Sequence, residues 1–275
     1  MKASPNSFGP YEVTVLPDGV FEAPKDMLIH LDGEAAREKL IAAWPSEKIA
    51  LDVNCFLLRG PGGLSLIDAG TGDAWGPALG KARQALRDLG IEPSTIDRVL
   101  LTHLHGDHAL GLFDGTGAWL PRAEILVPEA DLAYYSDEAT KASLPEARRS
   151  GFKIAASLIE IYGDRMRPIG MGPVAGMAGI EAVPLPGHTA GQTGYRIGSG
   201  ADALFIWADA LHLAALQIGD PRAGLAYDLD RETAGRTRLA MLEEAAVAGW
   251  QVTGSHVRGL GRITRENGAF TFSQG

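Results

Sequence analysis

The chain has 275 residues, 45% hydrophobic and 21% charged, a composition typical of a globular protein with a sizeable core. Its formal net charge of −9 at pH 7 argues against a nucleic-acid partner, because a negative field repels the phosphate backbone. The single cysteine, Cys55, excludes an internal disulfide, and we expect it to be buried in an apolar strand.

The predicted elements alternate between short strands rich in Val, Ile and Leu and helices with an apolar face. In chain order they are strands at 11–16, 53–59 and 64–67, a helix at 77–89, strands at 98–101 and 124–127, a helix at 144–162, strands at 180–184, 193–197 and 203–207, a helix at 231–248, and a strand at 251–254. In the last helix we expect Leu239, Leu242, Ala245 and Ala246 to face inward. This order predicts two sheets covered by helices.

Two segments, residues 22–48 and 128–167, have no clear place in this scheme. Each could be plain core, or each could roof a pocket, since sites often lie on loops above a rigid sheet. We expect one domain over 1–275, with both segments as candidate pocket-covering insertions. The apolar side chains within 22–48 also suggest a homodimer, because they could cover a partner chain.

The first residues carry no apolar stretch typical of a signal peptide. No window reaches the roughly 18 uninterrupted apolar residues that a membrane span requires. We therefore expect a cytoplasmic protein without a membrane partner.

The densest polar cluster follows the strand at 98–101. Three of the seven histidines, His103, His105 and His108, fall within six residues, with Asp107 among them. On an extended segment His103 and His105 point to the same side, so their imidazoles can share one metal ion. Asp107 and His108 follow a glycine turn and could hold a second ion, since Zn²⁺ accepts imidazole and carboxylate ligands. Helix capping would explain Asp107 alone but not the whole group.

Further candidates stand where later strands end. His188 follows one predicted strand in a Pro-Gly-His-Thr-Ala-Gly run, Asp209 ends an apolar run, and His256 follows the last strand. A turn or a loop histidine would explain each one singly. Together with the first cluster, they predict ligands that converge along one rim of a sheet.

The order of these motifs resembles the metallo-β-lactamase-fold hydrolases. Residues 102–108 match the family's HxHxDH loop without departure, and Asp68 matches its early strand-then-aspartate element. In the family this aspartate supports the metal loop by orienting its ligands. Within the family, the chain looks most like the lactonase and organophosphate-hydrolase-like branch. The resemblance implies an α/β fold, a four-layer αββα sandwich of two mixed sheets flanked by helices.

The resemblance also implies the metal ligands. His103, His105 and His188 would bind the first ion, Asp107, His108 and His256 the second, and Asp209 would bridge both. We expect two divalent ions, with Zn²⁺ favoured and Mn²⁺, Fe²⁺ and Co²⁺ also compatible with these side chains. A histidine at position 105, where flavodiiron-type relatives carry glutamate, favours hydrolysis over electron transfer.

The implied reaction uses a metal-bridging hydroxide, because two ions about 3.5–4 Å apart lower the pKa of a shared water toward about 7. Asp107 would carry a proton to the leaving oxygen. His212 stands near the position where related lactonases have a tyrosine that contacts the substrate carbonyl. We therefore predict a catalytic contact for His212, with a structural histidine as the alternative.

The predicted substrate is a small, rather apolar ester, lactone or phosphotriester. It is favoured by the apolar residues around His212 and by the aromatic residues that we expect nearby: Phe113, Trp119, Tyr134 and Tyr135. A glyoxalase-type thioester hydrolase is the first alternative, although its basic C-terminal helical region has no counterpart in the nineteen residues after His256. The non-catalytic alternative is a metal-binding protein without hydrolytic activity.

Overall fold

The computed structural model describes residues 6–274. In chain order the strands are β1 (Asn6–Phe8), β2 (Tyr11–Pro24), β3 (Leu28–His30), β4 (Lys48–Gly60), β5 (Gly63–Ile67), β6 (Ile96–Leu100), β7 (Phe113–Asp114), β8 (Gly117–Ala118), β9 (Glu124–Pro128), β10 (Met166–Ile169), β11 (Gly172–Pro173), β12 (Ile180–Pro184), β13 (Thr193–Ile197), β14 (Leu204–Ile206), β15 (Ala223–Leu225), β16 (Gln251–Thr253), β17 (Gly261–Glu266) and β18 (Ala269–Gln274). The α-helices are α1 (Glu34–Ala43), α2 (Ala82–Asp88), α3 (Gly106–Ala109), α4 (Glu129–Ser136), α5 (Glu138–Ser143), α6 (Ser150–Tyr162), α7 (Ala214–Gln217) and α8 (Arg231–Ala248).

Two large mixed sheets organise these elements. The first has the strand order β1-β2-β4-β5-β6-β9-β10, and the second has the order β11-β12-β13-β14-β16-β17-β18. Neighbours from β5 to β10 run parallel, as do β14 and β16, while the other pairs in both sheets are antiparallel. Parallel neighbours need long crossovers, and these crossovers carry α2 to α8.

Side-chain alternation along the strands separates the layers. On β4, Phe56 and Leu58 pack between the sheets with Ile197 of β13. Leu57 points to the opposite face and packs against helical residues such as Leu158 of α6. Each fully buried side chain of this size contributes about 1.5–3 kcal/mol relative to an exposed one.

The second sheet repeats this pattern. Ile206 of β14 joins the inter-sheet cluster, while Phe205 packs outward with Leu242 and Ala245 of α8. The layers are therefore helices, sheet, sheet and helix, and the predicted four-layer αββα sandwich is confirmed.

The element bounds correct several predictions. The strand expected at 11–16 continues to Pro24, because β2 pairs with β4 along its whole second half. The helix expected at 144–162 begins at Ser150, after a single 3₁₀ turn, and the helix expected at 77–89 begins at Ala82. Leu239 is 42% exposed, so its inward placement was wrong, and the buried neighbour on that face is Arg238.

The two unplaced segments become recognisable elements. Residues 22–48 finish β2 and add β3 and α1, and residues 128–167 contain α4, α5 and α6. Cys55 is buried, as expected. Across residues 6–274, no helix has the length and hydropathy to cross a membrane.

Candidate metal centre

The loop that follows β6 is held in place by Asp68. This residue follows β5 and is fully buried, with a φ of 58° that aspartate tolerates better than most residues. Its carboxylate accepts hydrogen bonds from the backbone N–H and the hydroxyl of Thr102, both at 2.8 Å. It also lies 2.7 Å from Nδ1 of His108. Asp68 therefore fixes both ends of the loop, in line with the supporting role that the resemblance implied.

The structure brings all seven sequence-predicted ligands together where strands of both sheets end. Two groups of side chains each place one ligand atom per residue within 4.8 Å of the others. The first group is His103, His105 and His188, and the second is Asp107, His108, Asp209 and His256.

Asp209 lies between the two groups. Its Oδ2 is 3.3 Å from Nε2 of His188 and 3.1 Å from Nε2 of His256. Its Oδ1 is 3.3 Å from Nε2 of His108. This single carboxylate therefore faces histidines of both groups.

Each of the five clustered histidines has one ring nitrogen held by a support outside the cluster, which leaves the other nitrogen facing inward. The supports are Thr102 Oγ1 for His103 (3.0 Å), the Tyr135 hydroxyl for His105 (3.3 Å), Asp68 for His108 (2.7 Å), Asp228 for His188 (3.0 Å) and the carbonyl of Asp52 for His256 (2.6 Å). Metal-binding histidines in proteins are oriented in this way, through the nitrogen that does not touch the metal.

Several inward atoms make no hydrogen bond to the protein within residues 6–274, although two of them, His108 Nε2 and Asp209 Oδ1, lie 3.3 Å apart. Among the described residues, His103 Nε2, His108 Nε2 and Asp209 Oδ1 are buried and make no hydrogen bond. A buried polar atom without a hydrogen bond destabilises the folded state by about 1–3 kcal/mol. Three such atoms in one cluster therefore indicate a site for a bound ligand. A divalent cation satisfies imidazole nitrogens and carboxylate oxygens at once, and this donor set fits such an ion.

The histidines of the cluster differ in the direction in which their surroundings shift the pKa. Burial, and then the neighbouring His108, lowers the pKa of His103 well below its usual value. Burial and His188 do the same to the pKa of His105, so both rings stay neutral with a free lone pair. Burial alone would lower the pKa of His108, but the carboxylates of Asp209, Asp107 and Asp68 raise it well above its usual value.

His212 is at the site but is held differently. Its Nε2 lies 3.3 Å from Asp209 Oδ2, and its ring stacks on His256 with centroids 5.1 Å apart. Within residues 6–274 its Nδ1 is buried without a partner, so it lacks the support that the five other histidines have. His188, His212 and Asp228 form a third group of atoms within 4.8 Å, but there the imidazole of His188 is already bonded to Asp228.

A cavity of about 540 Å³ opens above the cluster. We call its polar base the floor, formed by His105, Asp107, His188, Asp209, His212 and His256. We call its mostly apolar lining the wall, formed by Phe21, Met27, Leu51, Trp75, Tyr134, Tyr135, Leu144, Ala147, Arg148, Ala226, Tyr227 and Leu229. Met27 comes from segment 22–48, and Tyr134 to Arg148 come from segment 128–167, so both unplaced segments contribute to the wall.

The aromatic residues expected near the site divide into two pairs. Tyr134 and Tyr135 line the cavity, as predicted. Phe113 and Trp119 do not line it, because they pack in the core beneath α6, where the Arg83 guanidinium lies 4.7 Å from the Trp119 ring.

Trp75 is the most distinctive wall residue that sequence reasoning missed. It is 41% exposed, and its ring lies 5.5 Å from that of Phe21. A Cβ on Gly106 would lie 2.5 Å from the Trp75 ring, so a side chain at this position would displace the indole from its place against the loop. The glycine within the HxHxDH run could have indicated that another group approaches closely at position 106. The sequence did not indicate that this group is Trp75.

A profile of the Metallo-beta-lactamase superfamily matches residues 49–248, which is more than half of the chain. No curated protein sequence matches the chain.

Solved structures match over nearly the whole length. The hydrolase AbOPH of the beta-lactamase superfamily gives a TM-score of 0.87 at 22% identity, with 99% of this chain and 97% of that chain covered. AidC, a dizinc quorum-quenching lactonase in complex with an N-hexanoyl-L-homoserine product, gives 0.84 at 21% identity with the same coverage. A probable metal-dependent hydrolase from Staphylococcus aureus gives 0.73 at 19% identity, with 98% and 99% covered. At these identities the likeness shows a common fold.

Proposed function

The chain belongs to the metallo-beta-lactamase superfamily, and on this premise we propose that it is a hydrolase with two divalent metal ions. The observation that carries the proposal is the set of histidine nitrogens and carboxylate oxygens that face one another at the base of the cavity. Five histidines are each supported through one nitrogen, and buried atoms without partners lie at the base of a substrate-sized cavity. A structural core would not leave such atoms unsatisfied.

We assign the metal ligands from the two groups of side chains described above and from Asp209, whose carboxylate lies between them. His103, His105 and His188 would hold the first ion, Asp107, His108 and His256 would hold the second, and Asp209, which faces histidines of both groups, would contribute to both. Zn²⁺ is the favoured metal, since the ligands are imidazoles and carboxylates and the fold neighbour AidC is a dizinc lactonase.

Bound divalent ions supply an activated water and polarise the oxygen of a carbonyl or phosphoryl group. The protein supplies the rest of the chemistry. Asp107 lines the cavity with a carboxylate that can move a proton to the leaving oxygen. His212 also lines the cavity, and its Nε2 lies 3.3 Å from Asp209 Oδ2, which places the imidazole where it could form a hydrogen bond to a substrate bound beside Asp209.

The wall favours a small, rather apolar ester, lactone or phosphotriester. Aromatic and aliphatic side chains dominate it, and Arg148 is its one cationic residue among the described positions. The Arg148 guanidinium donates a hydrogen bond to the carbonyl of Ala226, so it is already engaged with the wall itself. Burial of an apolar group against this surface contributes about 25 cal/mol per Å². Lactones are the first class to test, because AidC binds a homoserine product of that chemistry.

A single domain over 1–275, a homodimer and a cytoplasmic location remain predictions from the sequence. The contributions of segments 22–48 and 128–167 to the wall support their proposed role in covering the pocket.

The test is a substrate panel on protein loaded with Zn²⁺, Mn²⁺ or Co²⁺. We expect two metal equivalents per chain and turnover of at least one lactone, ester or phosphotriester with an apolar substituent. A folded protein that holds two equivalents but leaves these substrates and thioesters intact would contradict the proposal. Turnover of thioesters alone would favour the glyoxalase-type alternative.

A further inference from the structure

Arg238 is an unusual residue for the buried face of a helix. It lies on α8, it is 2% exposed, and it occupies the face where the helical pattern had placed Leu239. A buried guanidinium is costly unless its N–H groups are all paired.

The guanidinium nitrogens of Arg238 all donate to the long chain segment that connects β14 to α8. Its Nε donates to the carbonyl of Ala210, and its Nη1 donates to the carbonyls of Pro221 and Ala223, all at 2.8 Å. Its Nη2 lies 3.5 Å from Oδ2 of Asp228. The guanidinium therefore joins both ends of the connection that contains Asp209, His212 and Tyr227.

Asp228 continues this network to the metal cluster. Its Oδ1 is 3.0 Å from Nδ1 of His188, and both side chains are 2% exposed. The hydrogen bond places the His188 proton on Nδ1 and leaves Nε2 free to face His105 at 2.9 Å. One carboxylate thus connects the His188 ring to the guanidinium.

The other arm of the network reaches Asp209. Ala208, directly before it, has a φ of 50°, a backbone conformation that alanine rarely adopts. The turn is closed by the N–H of Ala210, which donates to the carbonyl of Trp207, while the carbonyl of Ala210 accepts from Arg238. Arg238 therefore stabilises the turn that directs the Asp209 carboxylate into the cluster.

We propose that Asp228 and Arg238 form a positioning pair that holds His188 and Asp209 in one fixed arrangement. His188 comes from the β12–β13 loop and Asp209 from the end of β14, so no short stretch of chain sets the distance between them. This inference rests on the proposed function, because it takes His188 and Asp209 to be metal ligands. Neither Asp228 nor Arg238 contacts the substrate cavity, and both act through other residues.

A purely structural role for the pair makes a different prediction. In that case Asp228 and Arg238 would only anchor α8, and any damage to the helix would affect the metal site equally. Asp230 provides the matched control, because it caps the N-terminus of α8 by accepting from the N–H of Thr233 at 3.0 Å and is two residues from Asp228.

The experiment compares Asp228→Asn with Asp230→Asn, and Arg238→Lys with Arg236→Lys, in the full chain. Arg236 is exposed on the same helix and donates only to Thr233 among the described residues. The readouts are Zn²⁺ affinity by competition with a chromophoric chelator, the visible spectrum of the Co²⁺-loaded protein, and the melting temperature of the metal-free protein.

We expect Asp228→Asn to weaken the binding of one ion about 10–100-fold and to alter the Co²⁺ spectrum. The Asp230 and Arg236 controls should keep wild-type affinity even where their melting temperatures fall. Arg238→Lys should weaken the same ion, and the double variant should lose little more than the stronger single variant, since the two residues act as a unit.

Three results would overturn the inference. Wild-type affinity in Asp228→Asn would remove the positioning role, and so would an equal loss in Asp230→Asn. Loss of a whole metal equivalent in Asp228→Asn would make Asp228 a ligand. A wild-type chain that binds fewer than two ions would overturn the proposed function itself, which separates that failure from a failure of this inference.

Discussion

The floor and the wall of the cavity are built in opposite ways. Floor side chains lie at or shortly after strand ends of the two sheets, and each of the five clustered histidines is held by a hydrogen bond to a group outside the cluster. Wall side chains come from α4, from the turns before α6, from the end of β2 and from loops, and they include the 41% exposed Trp75. The floor is positioned by polar contacts and the wall by apolar packing.

This difference separates chemistry from selectivity. Changes in the proposed metal ligands of the floor should alter metal content and turnover for every substrate, because in the proposed mechanism all substrates would meet the same ions. Changes in the wall should alter the ranking of substrates while metal content stays constant. The predictions below test that separation, from the largest expected effect to the smallest.

His105→Ala should produce the largest effect. The variant loses an inward nitrogen of the first group, so we expect at least one metal equivalent to be lost and turnover to fall at least about a hundredfold. Metal analysis, circular dichroism and kinetics check this together. His30→Ala is the control, because His30 pairs with Asp220 at 2.9 Å, away from the cluster. Retained activity together with a large loss of secondary structure would contradict the ligand role.

Asp68→Asn should weaken metal binding about 10–100-fold, because the neutral amide no longer holds the His108 ring with a charged acceptor. Chelator competition measures the change. Asp88→Asn, on the exposed end of α2, should have no effect. Equal affinities in the two variants would show that the loop keeps its geometry without Asp68.

His212→Ala should keep both metal equivalents and lower kcat about tenfold, the loss expected for one hydrogen bond to the reacting substrate. Metal analysis, together with measurement of kcat and KM, distinguishes a residue that contacts the substrate from a metal ligand. If the variant lost a full metal equivalent, His212 would be a ligand, and the contrast between His212 and the five supported histidines would not hold.

Trp75→Ala should have the smallest effect. A partly exposed indole contributes about 1 kcal/mol of apolar contact, so KM for a substrate with a long apolar group should rise about fivefold. KM for a short substrate, and metal content, should stay constant. Trp44→Ala is the control, because Trp44 packs outside the cavity. Equal changes for both substrate lengths would place Trp75 outside the substrate path.

The seven proposed ligands could be identified from the sequence because their motifs follow a characteristic order along the chain and begin where buried strands end. The same reasoning gave the α8 bounds correctly but placed Leu239 inward, since periodicity alone cannot identify a buried arginine whose carbonyl partners lie 15 to 28 residues away. The wall could be predicted only in part for the same physical reason: Tyr134 and Tyr135 were expected near the site, but Trp75 was not. The approach of Trp75 to Gly106 and the Asp228–His188 bond both depend on tertiary packing between distant segments.

The central claim is that the supported histidines and Asp209 hold two metal ions, and metal-edge anomalous diffraction from crystals of the Zn²⁺-loaded protein tests it most directly. The account predicts two anomalous peaks in the floor, with zinc-to-ligand distances of about 2.0–2.2 Å. The first should contact His103, His105 and His188, and the second Asp107, His108 and His256, with Asp209 on both. A single peak, or a peak held by His188, His212 and Asp228, would contradict the account.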